Sequence, residues 1–345
     1  MFQFLIYNKI RGKDGPNRLN GTASYDAIRG LDGDDKLYGL GADDRLNGGK
    51  GNDLAHGGDG NDRIVGGNDR DVLYGDEGDD KIYGGADNDR AYGGNGWDRA
   101  YGGKGNDRLY GGNGPDSLRG NNDNDMVFGE SGYDFLYGNA GLDLLKGGAH
   151  DDFISGGADN DRLYGDGGDD EMNGGKGNDV IYGGAGNDEI NGADGNDRIF
   201  GGKGHDVIEG GAGDDLIDGG EGLDIINAGA GDDIIKGGGT ITAGPGADQI
   251  YISAIIEDFN PEEGDLLVVK LASLHVDPSA GGIDLINTQF VDATIDGPQL
   301  IFHTNEDRLY FDPDGFGSEV PVQIAVLTNF YTKFGELTLD SFSFI

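Results

Sequence analysis

From Asp26 to Asp233 every ninth residue is an aspartate, 24 of them in one register, and the residue two places after each is aliphatic or small and apolar. Carboxylates recurring at fixed spacing among glycines suit one chemistry above others, the holding of a hard divalent cation. Calcium is the best match, since it takes about 6 to 8 oxygen ligands at about 2.3 to 2.6 Å in flexible geometry, and glycine loops offer free carbonyls. Magnesium prefers rigid octahedra and retains its water, while zinc would want His or Cys, and the chain has no Cys.

The elements that must position these carboxylates follow from the nine-residue unit G-G-x-G-x-D-x-U-x, with U apolar. Each unit reads as a six-residue loop such as Gly102 to Asp107 and a three-residue strand such as Arg108-Leu109-Tyr110, in which alternate side chains take opposite faces. One inward residue per unit makes a thin core, so burial has to come from stacking. Two units form an 18-residue coil, and successive coils pile into two facing parallel sheets with the U residues between them. The expected inward series includes Leu37, Leu46, Ile64, Leu73, Ile82, Leu109, Leu118 and Leu136, with thinner spots at Ala55, Ala91 and Ala100. The expected fold is all-β, a parallel β-roll capped by a C-terminal β-sandwich-like domain.

Stacking sorts the aspartates into two columns. One holds Asp26, Asp44, Asp62, Asp80, Asp98, Asp116, Asp134, Asp152, Asp170, Asp188, Asp206 and Asp224; the other holds Asp35, Asp53, Asp71, Asp89, Asp107, Asp125, Asp143, Asp161, Asp179, Asp197, Asp215 and Asp233. Like charges about 5 Å apart in a partly dry stack repel strongly, and a cation between each pair removes the conflict. Twelve aspartates per column leave eleven gaps, so full occupancy is 22 calcium ions carrying +44 against a formal charge of −40. Asp248, 15 residues beyond Asp233, is a further candidate ligand after the register breaks.

Composition alone, with 71 glycines and 35% apolar residues in 345, would predict disorder. A disordered spacer has no reason to keep an apolar residue at the eighth position of every unit. The acidity argues against nucleic acid, which needs basic patches to release counterions. No disulfide framework is possible, no apolar run reaches the roughly 18 residues of a membrane span, and MFQFLIYNKIRGK lacks the basic start of a Sec signal peptide.

Not every loop fits. GGKGND (48–53, 102–107, 174–179), GGDGND (57–62) and GGAGND (183–188) do, whereas GTASYD (21–26), GGNDRD (66–71), GNNDND (120–125) and GGAHDD (147–152) lose a glycine at position 2 or 4 and are the loops expected to bind ions least well. Asn17 and Leu19 occupy the Asp and U register, so the roll is expected to span 12–251, after an N-terminal cap of 1–11 and before a C-terminal β domain of 252–345. In that last region apolar alternation replaces glycine, as in DLLVV, QLIFH and VPVQIAVL, which reads as short strands. DPDGFGSE (312–319) has calcium-like acidic spacing, although a polar hairpin turn accounts for it better.

The nonapeptide resembles the RTX calcium-binding repeat, and GADQIYI, EDFNPEEGDLL, LYFDPDGFGSEVPVQIAVL and LDSFSFI resemble the C-terminal region of RTX proteins exported by type I secretion, such as the serralysin group. The resemblance implies a secreted protein, extracellular or associated with the cell surface, whose uncleaved C-terminal stretch is read by a type I exporter. It also implies calcium ligation by the loop aspartates and glycine-loop carbonyls, here those of Gly103, Gly105, Gly175, Gly177, Gly184, Gly186, Gly202, Gly204, Gly211 and Gly213.

No enzyme is expected. HExxH is absent around His56, His150, His205, His275 and His303, and no G-x-S-x-G elbow occurs; His56 and His205 read as exposed repeat positions. Two alternatives stand beside a calcium-folded secreted protein. One is an adhesin or carbohydrate-binding module using the outward aromatic column Tyr38, Tyr74, Tyr92, Tyr110, Phe128, Tyr164, Tyr182 and Phe200 on a surface glycan, although strand packing is the commoner reason for such a column. The other is an accessory domain of a secreted enzyme such as a polysaccharide epimerase.

Overall fold

The computed structural model describes residues 8–247, and beyond them the backbone of the strands Gln249–Glu257, Leu266–Val269, Asp284–Asn287, Gln299–His303, Arg308–Asp312, Val322–Thr328 and Phe342–Phe344. Asp248, the DPDGFGSE turn and most of the expected sandwich-like cap lie outside the described residues. The chain divides into two compact units, Met1–Ala185 and Gly186–Ile345. Every element among the described residues is a β-strand, so no helix there is long and apolar enough to cross a membrane.

In the first unit each strand pairs in parallel with the next but one, at a register of 18 residues: Arg90↔Arg108, Ala91↔Leu109, Tyr92↔Tyr110, then Arg108↔Met126 and Leu109↔Val127. This is the expected solenoid. The U side chains Leu37, Leu46, Ile64, Leu73, Ile82, Leu109, Leu118 and Leu136 are 0–1% exposed, and Ala55, Ala91 and Ala100 are buried in the same line. Each U residue meets its own kind above and below, so a core one side chain wide becomes continuous along the stack.

The strand is longer than the three residues expected. It runs six residues, from position 7 to position 3 of the next unit, as in Arg108–Asn113, and only positions 4 to 6 form the turn. The glycines of positions 1 and 2 are therefore ladder residues as well. Alternation then puts three residues per unit on the inner face, Asp107, Leu109 and Gly111 being one set, where one had been expected. Positive φ occurs at positions 2 and 4, as at Gly103 (φ 122°) and Gly105 (φ 107°), so those two glycines answer a backbone demand.

The roll also starts earlier than expected. Asn8–Arg11 already pairs with Asp26–Asp32, with Ile10 opposite Ile28, so part of the supposed N-terminal cap is the first rung. Leu19 pairs with Leu37, as the register of the opening repeat requires. In the second unit the 18-residue register holds through Leu216↔Ile234 and then tightens to 15, with Asp224↔Gly239 and Ile234↔Gln249. The ladder continues to Glu257, past the boundary expected at 251, because the strand Ile234–Thr242 offers its whole length to Gln249–Glu257. Farther on the pairing turns mixed: Asp284–Asn287 is parallel to Gln299–His303, which is antiparallel to Arg308–Asp312.

Candidate metal-binding ladders

All 24 repeat aspartates are buried, at 0–3% exposure, and their polar atoms can be followed one by one. The N–H of Asp53 donates to Oδ1 of Asp71 at 2.8 Å, the Asp53 carbonyl accepts from the N–H of Val72 at 2.9 Å, and Asp53 Oδ1 accepts from the N–H of Asp35 at 2.8 Å. The same pattern repeats at Asp62, Asp89 and Asp107. The fourth atom is left over. Oδ2 is buried with no hydrogen-bond partner at every repeat aspartate from Asp35 to Asp161, and again at Asp206, Asp215 and Asp224. Folded proteins rarely leave buried acceptors unmet, and each costs about 1–3 kcal/mol, more when charged.

What Oδ2 faces defines the site. A Cβ placed on Gly84 would lie 2.5 Å from Asp89 Oδ2 and 2.6 Å from the carbonyl oxygen of Gly102; on Gly156 it would lie 2.5 Å from Asp161 Oδ2 and 2.7 Å from the Gly174 carbonyl. Position 1 must therefore be glycine, because the carboxylate of its own unit and a carbonyl of the next coil converge above it. The ladder skips position 1, as Gly111 is passed over between Tyr110 and Gly112. A carboxylate oxygen with no donor of its own and a backbone carbonyl oxygen are thus brought together over each position-1 glycine. Either a proton on Oδ2 or a cation satisfies that arrangement.

The electrostatics agree. Burial, opposed by the backbone hydrogen bond and reinforced by neighbouring aspartates, pushes Asp71, Asp80, Asp89, Asp116, Asp125, Asp152 and Asp161 up to about 8. Burial likewise raises Asp62 and Asp107 to about 7 and Asp53, Asp98 and Asp215 to about 6. A bound cation inverts this logic and holds the carboxylate ionised. Among the described residues no three His, Asp or Glu side chains converge on one point. The donor set is instead carboxylate plus backbone carbonyl, all oxygen, and it fits calcium.

The structure adds a second set of glycines to those named from the sequence. Gly103, Gly105, Gly175, Gly177, Gly184, Gly186, Gly202, Gly204, Gly211 and Gly213 all have positive φ and shape the turn, whereas the carbonyls beside Oδ2 belong to position 1, as in Gly102 and Gly174. The signal was available: position 1 is glycine in nearly every unit although nothing about a three-residue strand requires it. Three of the four irregular loops keep the regular geometry, with Asp69, Asn121, Asp123 and His150 at φ between 71° and 84° and Oδ2 of Asp71, Asp125 and Asp152 unpartnered. The first differs, because the N–H and hydroxyl of Thr22 donate to Asp26 Oδ2 at 2.6 and 2.9 Å.

Position 5 forms a ladder of its own on the rim. Asn106 N–H donates to Asn88 Oδ1 at 3.0 Å, and Leu142 N–H donates to Asn124 Oδ1 at 2.8 Å. His205 belongs here in the second unit, its Nδ1 accepting the Leu223 N–H at 2.9 Å. His56, expected to be exposed, is half-buried between Tyr38 and Tyr74, at 5.5 and 4.4 Å between ring centroids and 4° from parallel. The stack continues through Tyr92, Tyr110 and Phe128 at 4.7–5.0 Å. Ring faces there are covered by other rings, and only their edges meet solvent.

A parallel solenoid with two inner columns of buried carboxylates, most of them one oxygen short of a partner, defines a calcium-binding β-roll. The model of the RTX calcium-binding nonapeptide repeat matches residues 11–45, 38–73, 74–109, 101–136, 134–163, 164–199, 191–226 and 218–239, and the chain belongs to that family. No curated protein matches the chain. Among solved structures it is similar to a hyperactive, Ca2+-dependent, β-helical antifreeze protein from an Antarctic bacterium, at 22% identity over 72% of this chain and 86% of that one, with a TM-score of 0.40.

Proposed function

We propose that this RTX protein is exported unfolded through a type I exporter and folds outside the cell on binding calcium, acting there as a structural calcium-held roll without catalytic activity. The observation that carries the reading is the buried Oδ2 in coil after coil, without a donor and brought close to a backbone carbonyl of the next coil. When bound, calcium supplies the positive charge and the coordination that these oxygens lack. The aspartates hold it from one coil, the position-1 glycines of the next coil turn their carbonyls to it, and the U residues exclude water behind it. Full loading is up to about 22 ions, between neighbouring coils of both columns.

Because the ligand carboxylates repel one another when ionised and empty, folding and binding are one equilibrium. At low cytosolic calcium the chain stays extended for export; at about millimolar extracellular calcium it closes. The resemblance of the C-terminal region to type I substrates, and the absence of HExxH and G-x-S-x-G, support the location and the non-enzymatic role. Calcium titration followed by circular dichroism, with bound ions counted by equilibrium dialysis, tests the reading. Coil in chelator that becomes β-structure with many ions bound is expected; a chain fully folded in chelator at neutral pH would overturn it.

A further inference from the structure

On the outer surface of the first unit a column of like charges recurs with the opposite sign. At position 7 of four successive coils on one edge stand Arg45, Arg63, Lys81 and Arg99, each directly opposite the next in the ladder. At the strand spacing of about 4.8 Å this is a row of four like charges roughly 14 Å long, and like charges directly opposite in a sheet are destabilising. No acid relieves them: none of the four is in an ion pair among the described residues. Three instead lean on aromatic faces, Arg63 over Tyr83 at 4.3 Å, Arg99 over Trp97 at 4.8 Å and Arg45 over Tyr25 at 5.8 Å. In a chain of formal charge −40, an unbroken row of unpaired cations is the exception. The corresponding positions in the next three coils are Ser117, Phe135 and Phe153.

The row lines a groove of about 490 Å3 together with Tyr25, Trp97 and the rim residues Asp43, Asn61 and Asp79, and the buried column aspartates Asp44, Asp62 and Asp80, whose charge a bound cation would offset, line it as well. That size is within the range of small-molecule sites. The rim residues are held in place by their ladder, with Asp43 Oδ1 accepting from the Asn61 N–H at 2.9 Å, Asn61 Oδ1 from the Asp79 N–H at 3.0 Å and Asp79 Oδ1 from the Trp97 N–H at 2.9 Å. One carboxylate oxygen of each acid is left for a ligand donor. A ligand that fits must carry regularly spaced anions on one side and hydrogen-bond donors on the other.

We propose that this groove binds a linear acidic glycan, with uronate carboxylates along the Arg45–Arg63–Lys81–Arg99 wall and sugar hydroxyls donating to the Asp43–Asn61–Asp79 wall. A pyranose in an extended glycan advances the chain by a distance close to one strand spacing, so successive uronates meet successive coils. Nucleic acid carries anions too, but its donors sit on base edges at a distance from the phosphates, so it does not place phosphates on the cation row with a donor beside each one on the Asp43–Asn61–Asp79 wall. The aromatic column on the neighbouring sheet has no part in this site, its ring faces being covered.

The test is isothermal titration of the full chain in about millimolar calcium with a galacturonate hexamer, a neutral glucan hexamer and a single-stranded oligonucleotide of matched charge. The galacturonate should bind, more weakly as salt rises, and the other two should not. The R45S/R63S/K81S/R99S chain should lose at least about tenfold in affinity, whereas R70S/R90S/R108S/R162S, which removes four cations from the opposite edge, should keep it. Circular dichroism in calcium checks that both variants fold; if the first does not, R63S and K81S singly carry the test with a fall of about threefold each. No binding of galacturonate, equal binding of the oligonucleotide or the neutral glucan, or equal loss in both fourfold variants would overturn the proposal. Uronates bridged by calcium to the acidic surface would give that last result. Calcium-induced folding is read separately by the dichroism, so this proposal and the calcium reading can fail independently.

Discussion

Asn106 and Asp107 are neighbours in sequence, nearly the same size, and both belong to an 18-residue ladder, yet they do opposite things. On the rim, Asn106 Oδ1 accepts from the N–H of Asn124 in the coil after it, at 3.2 Å; inside, Asp107 Oδ1 accepts from the N–H of Asp89 in the coil before it, at 2.8 Å. The two ladders thus run in opposite directions along the stack. The difference that matters is water. Asn106 is exposed, so its side chain can be completed by water, whereas Asp107 is 1% exposed and its Oδ2 has no partner. Need for a cation is set by where the carboxylate is sealed in, and residue type alone does not create it.

The largest effect should come from the inner member of the pair. Asp107→Asn removes one anionic ligand from a buried column, so in calcium the chain should bind fewer ions and lose about 3 kcal/mol or more of stability, read from denaturant midpoints and ion counts. In calcium-free buffer, where the parent chain is expected as coil near neutral pH, the sign should reverse and D107N should show more β-structure by circular dichroism, because the same change removes a buried charge that repels Asp89 and Asp125. A D107N chain destabilised equally in both buffers would mean that the carboxylate is structural and holds no ion.

Protons should separate the inner column from the rim next. The folded-state values of Asp71, Asp80, Asp89, Asp116, Asp125, Asp152 and Asp161 are raised to about 8 by burial, against about 3.9 in an unfolded chain. The folded form therefore binds more protons between those limits. Stability from these groups is fully present below about 4 and is lost as pH rises through about 8. Calcium-free protein should gain β-structure as pH falls from 8 to 5, while calcium affinity should weaken over the same range because protons compete for Oδ2. Circular dichroism at each pH, with and without calcium, checks both trends; a calcium-free chain that gains structure as pH rises would break the account.

Much of this was legible in the sequence, and the part that was not has a physical reason. The nine-residue comb dictated the 18-residue coil, and Leu109 stacked on Ala91 and Val127 follows from it. The strand length did not, because glycine at positions 1 and 2 looks like loop when read by propensity, whereas in a stack the neighbouring coils impose extended pairing on it. Position 1 was missed beside Gly103 and Gly105 for the same reason: Gly102 has no unusual φ, only a neighbour too close to admit a Cβ. The tightening from 18 to 15 residues after Asp233 was visible as a gap, but that it continues the ladder was not, since Gly237, Gly238 and Gly239 do not look like strand.

Those two kinds of glycine give the third expected effect. Gly102→Ala would set a methyl against Asp107 Oδ2, with the Gly120 carbonyl at 2.8 Å, and should displace an ion along with about 2–3 kcal/mol of stability. Gly103→Ala should cost about 2–4 kcal/mol, for its φ of 122° and a Cβ that overlaps the Gly85 carbonyl, with the ion count unchanged. Equal ion loss in both would place carbonyl ligands at position 2 as well.

The smallest effect belongs to the rim. Asn106→Ala removes the acceptor of the Asn124 N–H, an exposed bond of 3.2 Å, and water replaces it, so a loss of about 0.5–1 kcal/mol is expected with calcium stoichiometry and pH dependence unchanged. The ladder already contains natural versions of this change. Trp97 has no acceptor to offer the coil after it, and the residue there is Pro115, which has no N–H to satisfy. Pro115 should therefore tolerate Ala with little change in stability, while Trp97→Asn with Pro115→Ala should restore a rung and stabilise the chain by a few tenths of a kcal/mol over P115A alone. If the restored rung instead altered the number of bound ions, the rim and the inner column would be coupled, and the separation between Asn106 and Asp107 would not hold.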